Sequence, residues 1–339
     1  MRKYWIAAIL AIVVLVAAPL FWVRRELYGP YYGAQSAETF VDIPHGAGIR
    51  AIAAALQSGG VLRHQFPFIF YVRWTGQGRL IKAGEYRFTS PATPVQVMQR
   101  LIRGDVYYRM LTIPEGLTAK EIILLMARGG LGDEKKMEIL IGRTDWIADL
   151  SPAARSLEGF LFPDTYRFSR RTTPEQLLKA MIDQCRTRLK NLLGEKAPAP
   201  GWTVADIVIL ASMVEKEAKT PEERRLVASV LANRLKLKMP LACDPTIIYA
   251  LKQTGTFSGN LHRADLGLNS PYNTYIHAGL PPGPIANPGV DALRAALAPA
   301  ESDYLYYVSR NNGSHVFSRD LRSHNLAVDR YQRRRQTGR

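Results

Sequence analysis

Two glutamates, Glu215 and Glu217, are the strongest candidates for chemistry in this sequence. They lie at the end of an apolar segment that begins near Thr203. The apolar residues of this segment recur with the spacing of one buried face of a helix. Side chains two residues apart on a helix point about 200° apart, so these carboxyls cannot flank one bond as acid and nucleophile. A glutamate pressed against apolar side chains has a raised pKa and can act as a general acid. At most one of the pair is therefore catalytic, and the spacing alone leaves open that both are surface charges.

Other catalytic and cofactor patterns are weak or absent from the sequence. The run Gly46-Ala-Gly48-Ile-Arg-Ala51 fits the dinucleotide-binding spacing, but no acidic residue stands about twenty positions later. There is no phosphate-binding loop ending in Gly-Lys-Ser/Thr and no His-Glu-x-x-His zinc motif, and the six histidines are scattered. We therefore expect neither a cofactor nor a metal.

The first 26 residues predict a membrane anchor. Trp5 to Val23 are nineteen residues without a charge, enough to cross a bilayer as a helix, with Trp5 and Trp22 placed as interfacial anchors. A cleaved signal peptide is the alternative, but Pro19 directly follows its best cleavage site. The distribution of basic residues weakly favours a location outside the cytoplasm for the bulk of the chain.

The charge of the chain indicates an anionic partner. Its 339 residues carry a formal net charge of +16, which suits nucleic acid, phospholipid or an acidic polymer. An exported location excludes nucleic acid and favours lipid headgroups or a cell-wall polymer. In such a compartment Cys185 and Cys243 could form a disulfide or both stay free.

Helix starts are marked in the sequence by capping boxes. In this pattern a threonine accepts a hydrogen bond from the third helical amide, and a Glu or Gln at that position reaches back. The pattern occurs at Thr93, Thr118, Thr173 and Thr220. The segment Lys196-Ala-Pro-Ala-Pro-Gly201 predicts a boundary, followed by one helix from Thr203 to Ala218 and a second from Thr220 to about Lys236.

Two segments of the sequence echo one another. Ile43-Pro-His-Gly46 leads into an apolar helix, as does Ile113-Pro-Glu-Gly116 seventy residues later, and Tyr86-Arg-Phe88 recurs as Tyr166-Arg-Phe168. Each copy is typical of a strand, a turn, two helices and a closing strand. The pattern predicts a duplicated small α+β unit, with a chance match as the alternative.

Long, ordered motifs are spread along the chain from Ser156 to Asn325. They are Ser156-Leu-Glu-Gly-Phe-Leu-Phe-Pro-Asp-Thr-Tyr166, Glu215-Lys-Glu217, Leu226-Val-Ala-Ser-Val-Leu-Ala-Asn-Arg-Leu235, Asp244-Pro-Thr-Ile-Ile-Tyr249, Ser270-Pro-Tyr-Asn-Thr-Tyr275, Gly279-Leu-Pro-Pro-Gly-Pro-Ile-Ala-Asn-Pro-Gly289, His315-Val-Phe317 and His324-Asn325. These motifs resemble the YceG-like family of membrane-anchored endolytic murein transglycosylases.

The resemblance implies an α+β chain of several parts. A transmembrane helix precedes a small LysM-like α+β subdomain, and a mixed α/β catalytic domain follows. The expected ranges are 1–26 for the cytoplasmic tip and anchor, 40–105 for the LysM-like glycan-binding subdomain, 106–200 for a second small α+β unit with a helical linker, 201–330 for the catalytic domain and 331–339 for a basic tail.

The resemblance also assigns roles to residues. Glu217 matches the catalytic acid/base of the family, and Glu215 is expected to be a supporting acid. Cys243 is a departure, since relatives commonly carry Ser or Thr there. The candidates for sugar binding, chosen by motif position with turn structure as the alternative, are Asp244, Tyr272, Asn273 and Thr274.

The implied reaction cleaves the β-1,4 bond between N-acetylmuramic acid and N-acetylglucosamine in nascent glycan strands, and it leaves a 1,6-anhydro end. The expected location is the inner membrane, with the bulk of the chain in the periplasm. Glycan strands and membrane lipid are the expected partners, and peptidoglycan synthases or division proteins are candidates. The alternatives are a hydrolytic muramidase and a non-catalytic wall-binding scaffold.

Overall fold

The computed structural model describes residues 2–31 and 38–333, which form an α+β protein. The described helices are α1 (Arg2–Tyr28), α2 (Ile49–Ser58), α3 (Gln65–Thr75), α4 (Pro94–Arg103), α5 (Ala119–Arg128), α6 (Glu134–Ile141), α7 (Pro174–Glu195), α8 (Val204–Glu217), α9 (Pro221–Lys236), α10 (Asp244–Thr254), α11 (Val290–Leu297) and α12 (Leu321–Val328). The described strands are β1 (Thr39–Ile43), β2 (Gly84–Phe88), β3 (Arg109–Thr112), β4 (Thr165–Phe168), β5 (Tyr306–Ser309) and β6 (His315–Ser318). They pair as three two-stranded sheets, β1–β2, β3–β4 and β5–β6.

The chain divides into two compact units. Unit 1 comprises Met1–Arg109 and Arg167–Arg171, and unit 2 comprises Met110–Tyr166 and Thr172–Arg339. The predicted LysM-like range, 40–105, lies within unit 1, and the predicted catalytic range, 201–330, lies within unit 2. Of the predicted basic tail, residues 334–339 lie outside the described residues.

Unit 1 is built on the antiparallel pair β1–β2. Thr39 stands opposite Phe88, and Ile43 stands opposite Gly84. Helices α2, α3 and α4 contribute Leu56, Phe68 and Leu101 to a core from which water is excluded. This core fixes one face of α3 and leaves its opposite face in solvent.

Helix α1 contains the predicted anchor. The side chains of residues 2–4, 7–10 and 12 of this helix lie outside what the structure describes. Within what the structure describes, no helix has the length and apolar character needed to cross a membrane. At the other end of α1, Val23 and Leu27 are buried, with 8% and 6% of their surface exposed, so this end packs into unit 1.

The same order of elements occurs twice, as the echoed motifs predicted. β1, α2, α3, β2 and α4 are followed by β3, α5, α6, β4 and α7. Gly46 and Gly116 occupy equivalent turns with φ of 74° and 76°. A side chain at such a φ clashes with the backbone, and this explains why both turns carry glycine.

Three of the four predicted capping boxes are confirmed, at Thr93, Thr118 and Thr173. The fourth prediction is wrong, because the Thr220 side chain makes no capping hydrogen bond. The Glu223 carboxylate that would complete this box instead accepts hydrogen bonds from His315. A box that the sequence analysis did not predict joins Thr203 to Asp206 at the start of α8.

Helix α8 is the centre of unit 2. All residues from Ile207 to Val214 are buried, and the helix packs against α9, α10 and α11. Burial on every side explains why this stretch is apolar all round. The amide of Ala218 donates to the Val214 carbonyl at 2.9 Å and ends the helix directly after Glu217.

The buried carboxyl of Glu158 ties distant parts of unit 2 together. Its Oε1 accepts hydrogen bonds from the Ala119 amide at 2.9 Å and from Asn287 Nδ2 at 3.0 Å, and the Tyr249 hydroxyl donates to Oε2 at 3.3 Å. Burial raises the pKa of Glu158 to about 8, although the hydrogen bonds from Ala119 and Tyr249 oppose the shift. The donors come from the start of α5, from α10 and from the segment before α11.

Candidate active site

The end of α8 sends its two glutamates into different surroundings, as the helical spacing predicted. Glu215 points toward the segment that leads into α11, where the Gly289 amide donates to its Oε2 at 3.0 Å. Glu217 lines a cleft with a volume of about 470 Å³. The two carboxyls therefore have separate environments.

Glu215 is held by protein groups. Its side chain is 7% exposed, and Arg224 of α9 lies 3.4 Å from its Oε1. Arg224 also lies 3.7 Å from Glu115, whose pKa is raised by burial and by the neighbouring Glu215. A buried carboxylate held by a guanidinium and a backbone amide is suited to fixing the start of α11 against the end of α8.

Glu217 combines shelter with access to solvent. It is partly exposed at the cleft wall. The Cys243 thiol, itself fully buried, donates to its Oε1 at 3.1 Å, and the Tyr307 hydroxyl also hydrogen-bonds to it. A general acid needs this combination, because it must keep its proton and still reach a substrate.

The surroundings of Glu217 favour its protonated form. Burial is the largest influence and raises the pKa of Glu217, and the charge of Asp244 raises it further. Hydrogen bonds from Cys243 and Tyr307 and the positive potential of His315 oppose the shift without cancelling it. A buried carboxyl with a raised pKa can protonate a leaving group near neutral pH.

The hairpin of β5 and β6 forms one wall of the cleft. It carries Tyr307 on β5 and His315 on β6, and their rings meet edge to face with centroids 5.5 Å apart. Glu223 of α9 holds the hairpin, since it accepts from the His315 amide at 2.8 Å and lies 2.7 Å from His315 Nδ1. This double contact fixes the ring of His315 and, through it, the position of Tyr307.

The side chains around Arg234 extend the same wall. Arg234 donates to the Leu305 carbonyl at 2.7 Å and lies over the Tyr306 ring, 5.1 Å from its centroid. Tyr306, the first residue of β5, also stacks on His324 of α12, and the two ring centroids are 5.2 Å apart. Burial and the nearby charge of Arg234 lower the pKa of His324, which favours the neutral form of this ring.

The four predicted sugar-binding residues occupy different positions. Asp244 lines the cleft beside Tyr275, whose hydroxyl donates to its Oδ1 at 2.5 Å. Asn273 is fully buried and closes the turn, since its amide donates to the Leu266 and Leu268 carbonyls.

Thr274 and Tyr272 lie on other sides of that turn. Thr274 is buried, and its Oγ1 accepts from the Cys243 amide at 3.0 Å, which fixes the residue that contacts Glu217. Tyr272 packs against Tyr249, with ring centroids 4.9 Å apart. The turn therefore positions Cys243 and Tyr275 through its buried residues.

Several cleft residues were not among the sequence predictions. Tyr275, Tyr307, His315 and Arg234 line the cleft with Glu217. Tyr275, Arg234 and His315 belong to motifs noted in the sequence, where nothing marked one side chain above its neighbours, and Tyr307 lies outside those motifs. The contact between Glu217 and Cys243 spans 26 residues of sequence, and the contact between Glu223 and His315 spans 92.

The two cysteines are free thiols. Cys185 lies buried in α7, where burial raises its pKa to about 12, and Cys243 lies beside the cleft. Of the two possibilities left open by the sequence, the structure has the free pair. The Cys243 thiol is thus available as a hydrogen-bond donor.

The chain is similar to proteins of one family over most of its length. Residues 41–330 match the YceG-like family. A Bacillus subtilis (strain 168) protein named endolytic murein transglycosylase is 32% identical over 333 residues, which are 94% of this chain and 91% of that protein. A protein of the same name from Streptococcus pneumoniae (strain ATCC BAA-255 / R6) is 30% identical over 79% of this chain, which spans about half (54%) of that longer relative. The crystal structure of a YceG-like protein from Listeria monocytogenes superposes with a TM-score of 0.58 at 30% identity, covering 86% of this chain and 98% of that one.

Proposed function

The chain belongs to the YceG-like family, and we propose that it is an endolytic murein transglycosylase, a lyase that cuts glycan strands of peptidoglycan. The family match covers residues 41–330. Two relatives named endolytic murein transglycosylase are 32% and 30% identical to this chain, and the YceG-like protein of known structure is 30% identical. The proposed bond is the β-1,4 linkage between N-acetylmuramic acid and N-acetylglucosamine. The proposed product carries a 1,6-anhydro ring on the muramic acid and ends a growing strand.

The observation that carries the proposal is the environment of Glu217. It places one carboxyl, with a raised pKa and two neutral hydrogen-bond donors, at the wall of an open cleft. Glu215 is already engaged by Arg224 and Gly289. A single carboxyl is sufficient for a lytic transglycosylase, because the substrate supplies its own nucleophile.

Glu217 performs both proton transfers of the proposed reaction. Its carboxyl first donates a proton to the glycosidic oxygen, the bond from that oxygen to C1 of the muramic acid breaks, and an oxocarbenium-like centre develops at C1. The Glu217 carboxylate then takes the proton of the C6 hydroxyl of the same sugar, whose oxygen bonds to C1. Glu217 ends protonated as it began, and no water is consumed. Attack within one sugar ring has a large entropic advantage.

The remaining cleft residues orient the sugar in this proposal. Asp244 and the Tyr275 hydroxyl offer polar atoms at one wall, and Tyr307 keeps the Glu217 carboxyl in place. Asn273 and Thr274 act through the turn that they stabilise.

We further propose the setting of the reaction. The uncharged run from Trp5 to Val23 favours a single-pass inner-membrane anchor with units 1 and 2 in the periplasm. Unit 1, which contains residues 40–105, is the proposed LysM-like glycan-binding part. A net charge of +16 suits anionic lipid and wall polymer, and peptidoglycan synthases or division proteins remain proposed partners.

The proposal is tested by the mass of the products released from purified sacculi. A lytic transglycosylase gives ends with the anhydro ring. A hydrolytic muramidase of similar architecture gives ends heavier by one water, and a wall-binding scaffold retains glycan without releasing any fragment. Anhydro ends are the expected result, and either of the other two outcomes contradicts it.

A further inference from the structure

Unit 1 exposes a continuous row of aromatic rings. The row consists of Trp22, Phe66, Phe70 and Trp74, which are 39%, 59%, 37% and 79% exposed. Their ring centroids follow one another at 6.5, 6.3 and 5.8 Å, with interplanar angles of 26° to 28°. Exposed apolar residues scattered singly are ordinary, but a connected row of large rings marks a contact surface.

The aromatic row is fixed in place by the fold. Three of its members stand four residues apart on α3, and the opposite face of that helix buries Phe68 and Val72 completely. The rings therefore form one ordered face of a helix that the core of unit 1 holds rigid. An ordered, solvent-exposed apolar face such as this side of α3 is typical of a surface that contacts another molecule.

A basic cavity adjoins the aromatic row. It has a volume of about 200 Å³ and is lined by Arg25, Arg63 and His64, together with Glu26. The Trp22 ring of the row lies 5.7 Å from the His64 ring, so the cavity and the row are continuous. Glu26 lies 3.8 Å from Arg63, which still leaves the cavity with an excess of positive charge. Two guanidinium groups in a small cavity suit a phosphate.

The helix that carries the proposed anchor also contributes to this surface. Trp22 belongs both to the uncharged run and to the aromatic row, and Arg25 of the cavity follows three residues later. Leu20 and Phe21, which are 57% and 70% exposed, continue the apolar surface along α1. Tryptophan at the end of an apolar run, followed by arginine, is the pattern of a membrane–water interface.

We propose that unit 1 rests on an anionic phospholipid surface, with the aromatic row at the boundary between headgroups and acyl chains and a lipid phosphate in the basic cavity. The inference rests on the anchor placed under the proposed function. It adds a second contact with the same membrane, and two contacts on one chain bind more tightly and orient it better than one. Phe66 and Phe70, in the middle of the row, carry no hydrogen-bonding group for a polysaccharide, and this favours the boundary of the acyl chains as their partner.

The test measures how deeply Trp74 enters the bilayer. The full chain is reconstituted in vesicles of phosphatidylcholine and phosphatidylglycerol whose acyl chains carry bromine, which quenches tryptophan emission on contact. Trp74→Phe removes one reporter and keeps an aromatic ring. Trp146→Phe is the matched control, because Trp146 lies in unit 2 with its ring under Arg143, 4.9 Å away.

The proposal predicts opposite changes in the two variants. The quenched share of the emission falls in Trp74→Phe, which loses a quenched reporter, and rises in Trp146→Phe, which loses an unquenched one. The decrease that Trp74→Phe causes in the quenched share should be smaller in vesicles of phosphatidylcholine alone. It should also be smaller when Trp74→Phe is made in a chain that carries both Arg25→Gln and Arg63→Gln.

Three results would overturn the proposal. If the quenched share rises in Trp74→Phe as it does in the control, Trp74 lies in water and this inference is wrong. Quenching of Trp5 and Trp22 in that experiment would still support the proposed anchor. If no emission is quenched at all, the anchor fails together with this inference. If Trp74→Phe weakens binding to purified glycan strands without changing the quenching, the row serves a polysaccharide.

Discussion

A thiol is a weak hydrogen-bond donor, and this protein places one against the carboxyl proposed to do its chemistry. The Cys243 Sγ lies 3.1 Å from Glu217 Oε1, and the Thr274 hydroxyl fixes the Cys243 backbone. A weak donor leaves burial as the dominant influence, so the pKa of Glu217 stays raised. The departure at Cys243 that the sequence showed thus has a position in the site, which no pattern in the sequence could supply.

Replacement of this donor should move the pH profile. In Cys243→Ala the hydrogen bond that lowers the pKa of Glu217 is lost, and burial acts with less opposition. A general acid works only while protonated, so the alkaline limb of kcat/KM should shift to higher pH. The measurement is kcat/KM on glycan strands between pH 5 and pH 9.

Cys185→Ala provides the control for loss of a thiol, because Cys185 is equally buried but lies in α7 away from the cleft. Its profile should match the wild type. An alkaline limb in Cys243→Ala that stays in place or moves to lower pH would contradict the role given to the thiol.

At the scale of elements, local signals predicted the helices well and the pairing of the cleft walls poorly. The predicted helix from Thr203 to Ala218 is α8, Val204–Glu217, and the next is α9, Pro221–Lys236. Caps and prolines act within four residues, and a single sequence shows them directly. The hairpin of β5 and β6 reaches Glu217 and Glu223 across about ninety residues, and only the folded chain decides that contact.

The Glu223 carboxylate should be required for the hairpin to support catalysis. In Glu223→Ala both contacts with His315 are lost, and Tyr307 is no longer held against Glu217. We expect kcat to fall about 10- to 100-fold, as for other displacements of about 1 Å, while the far-UV circular dichroism stays that of a folded chain.

Glu222→Ala is the matched change, since Glu222 is the neighbouring glutamate on α9 and is exposed. It should leave kcat unchanged. Equal activity in the two variants would show that the hairpin holds its position without Glu223.

Gly159 should tolerate no side chain. It has a φ of 86°, and a Cβ there would lie 2.4 Å from Pro284 Cγ and 2.9 Å from Val208 of α8. Gly201 has a similar φ of 83° with no atom within 4 Å of such a Cβ. Gly201→Ala should lower the free energy of unfolding by about 1–2 kcal/mol for backbone strain alone, and Gly159→Ala by roughly 3 kcal/mol or more because the core must also shift.

Urea denaturation of the two glycine variants separates the two effects, because backbone strain is common to both. Equal losses would mean that the segment around Gly159 moves away from Pro284 without cost.

At the scale of the whole molecule, buried carboxyls make the stability of unit 2 depend on pH. Glu158 has a pKa raised to about 8 in the folded chain, against a model-peptide value of 4.5. The folded state therefore holds this proton more tightly than the unfolded state. Its contribution is full below about pH 4.5 and is lost as the pH rises through about 8.

Glu158→Gln should remove this part of the pH dependence. The wild type should lose free energy of unfolding relative to Glu158→Gln as the pH rises from 5, and the gap should change steadily up to about pH 8 and level off above it. Glu217 is present in both chains, so its own titration cancels. A gap that stays constant across this range would show that Glu158 keeps an ordinary pKa when folded.

The sequence was sufficient to predict the general fold class and the family, but not how deeply each carboxyl is buried. The repeated Ile-Pro-x-Gly turns and the long motifs predicted an α+β chain and its relatives, which the matches confirm. Glu158 stood in one of those motifs, yet nothing in the sequence indicated that it is buried with Asn287 and Tyr249 around it. Burial is decided by residues that are distant in sequence.

The most direct measurement compares Glu217→Gln and Glu215→Gln with the wild type on intact sacculi, with the released fragments identified by mass. Glutamine keeps the shape of each side chain and removes the titrating group. We predict that Glu217→Gln releases no anhydro-muramic ends, whereas Glu215→Gln, which loses only a contact with Arg224, keeps the same product at a reduced rate. Anhydro ends from Glu217→Gln, together with none from Glu215→Gln, would transfer the proton to the other glutamate and contradict the account.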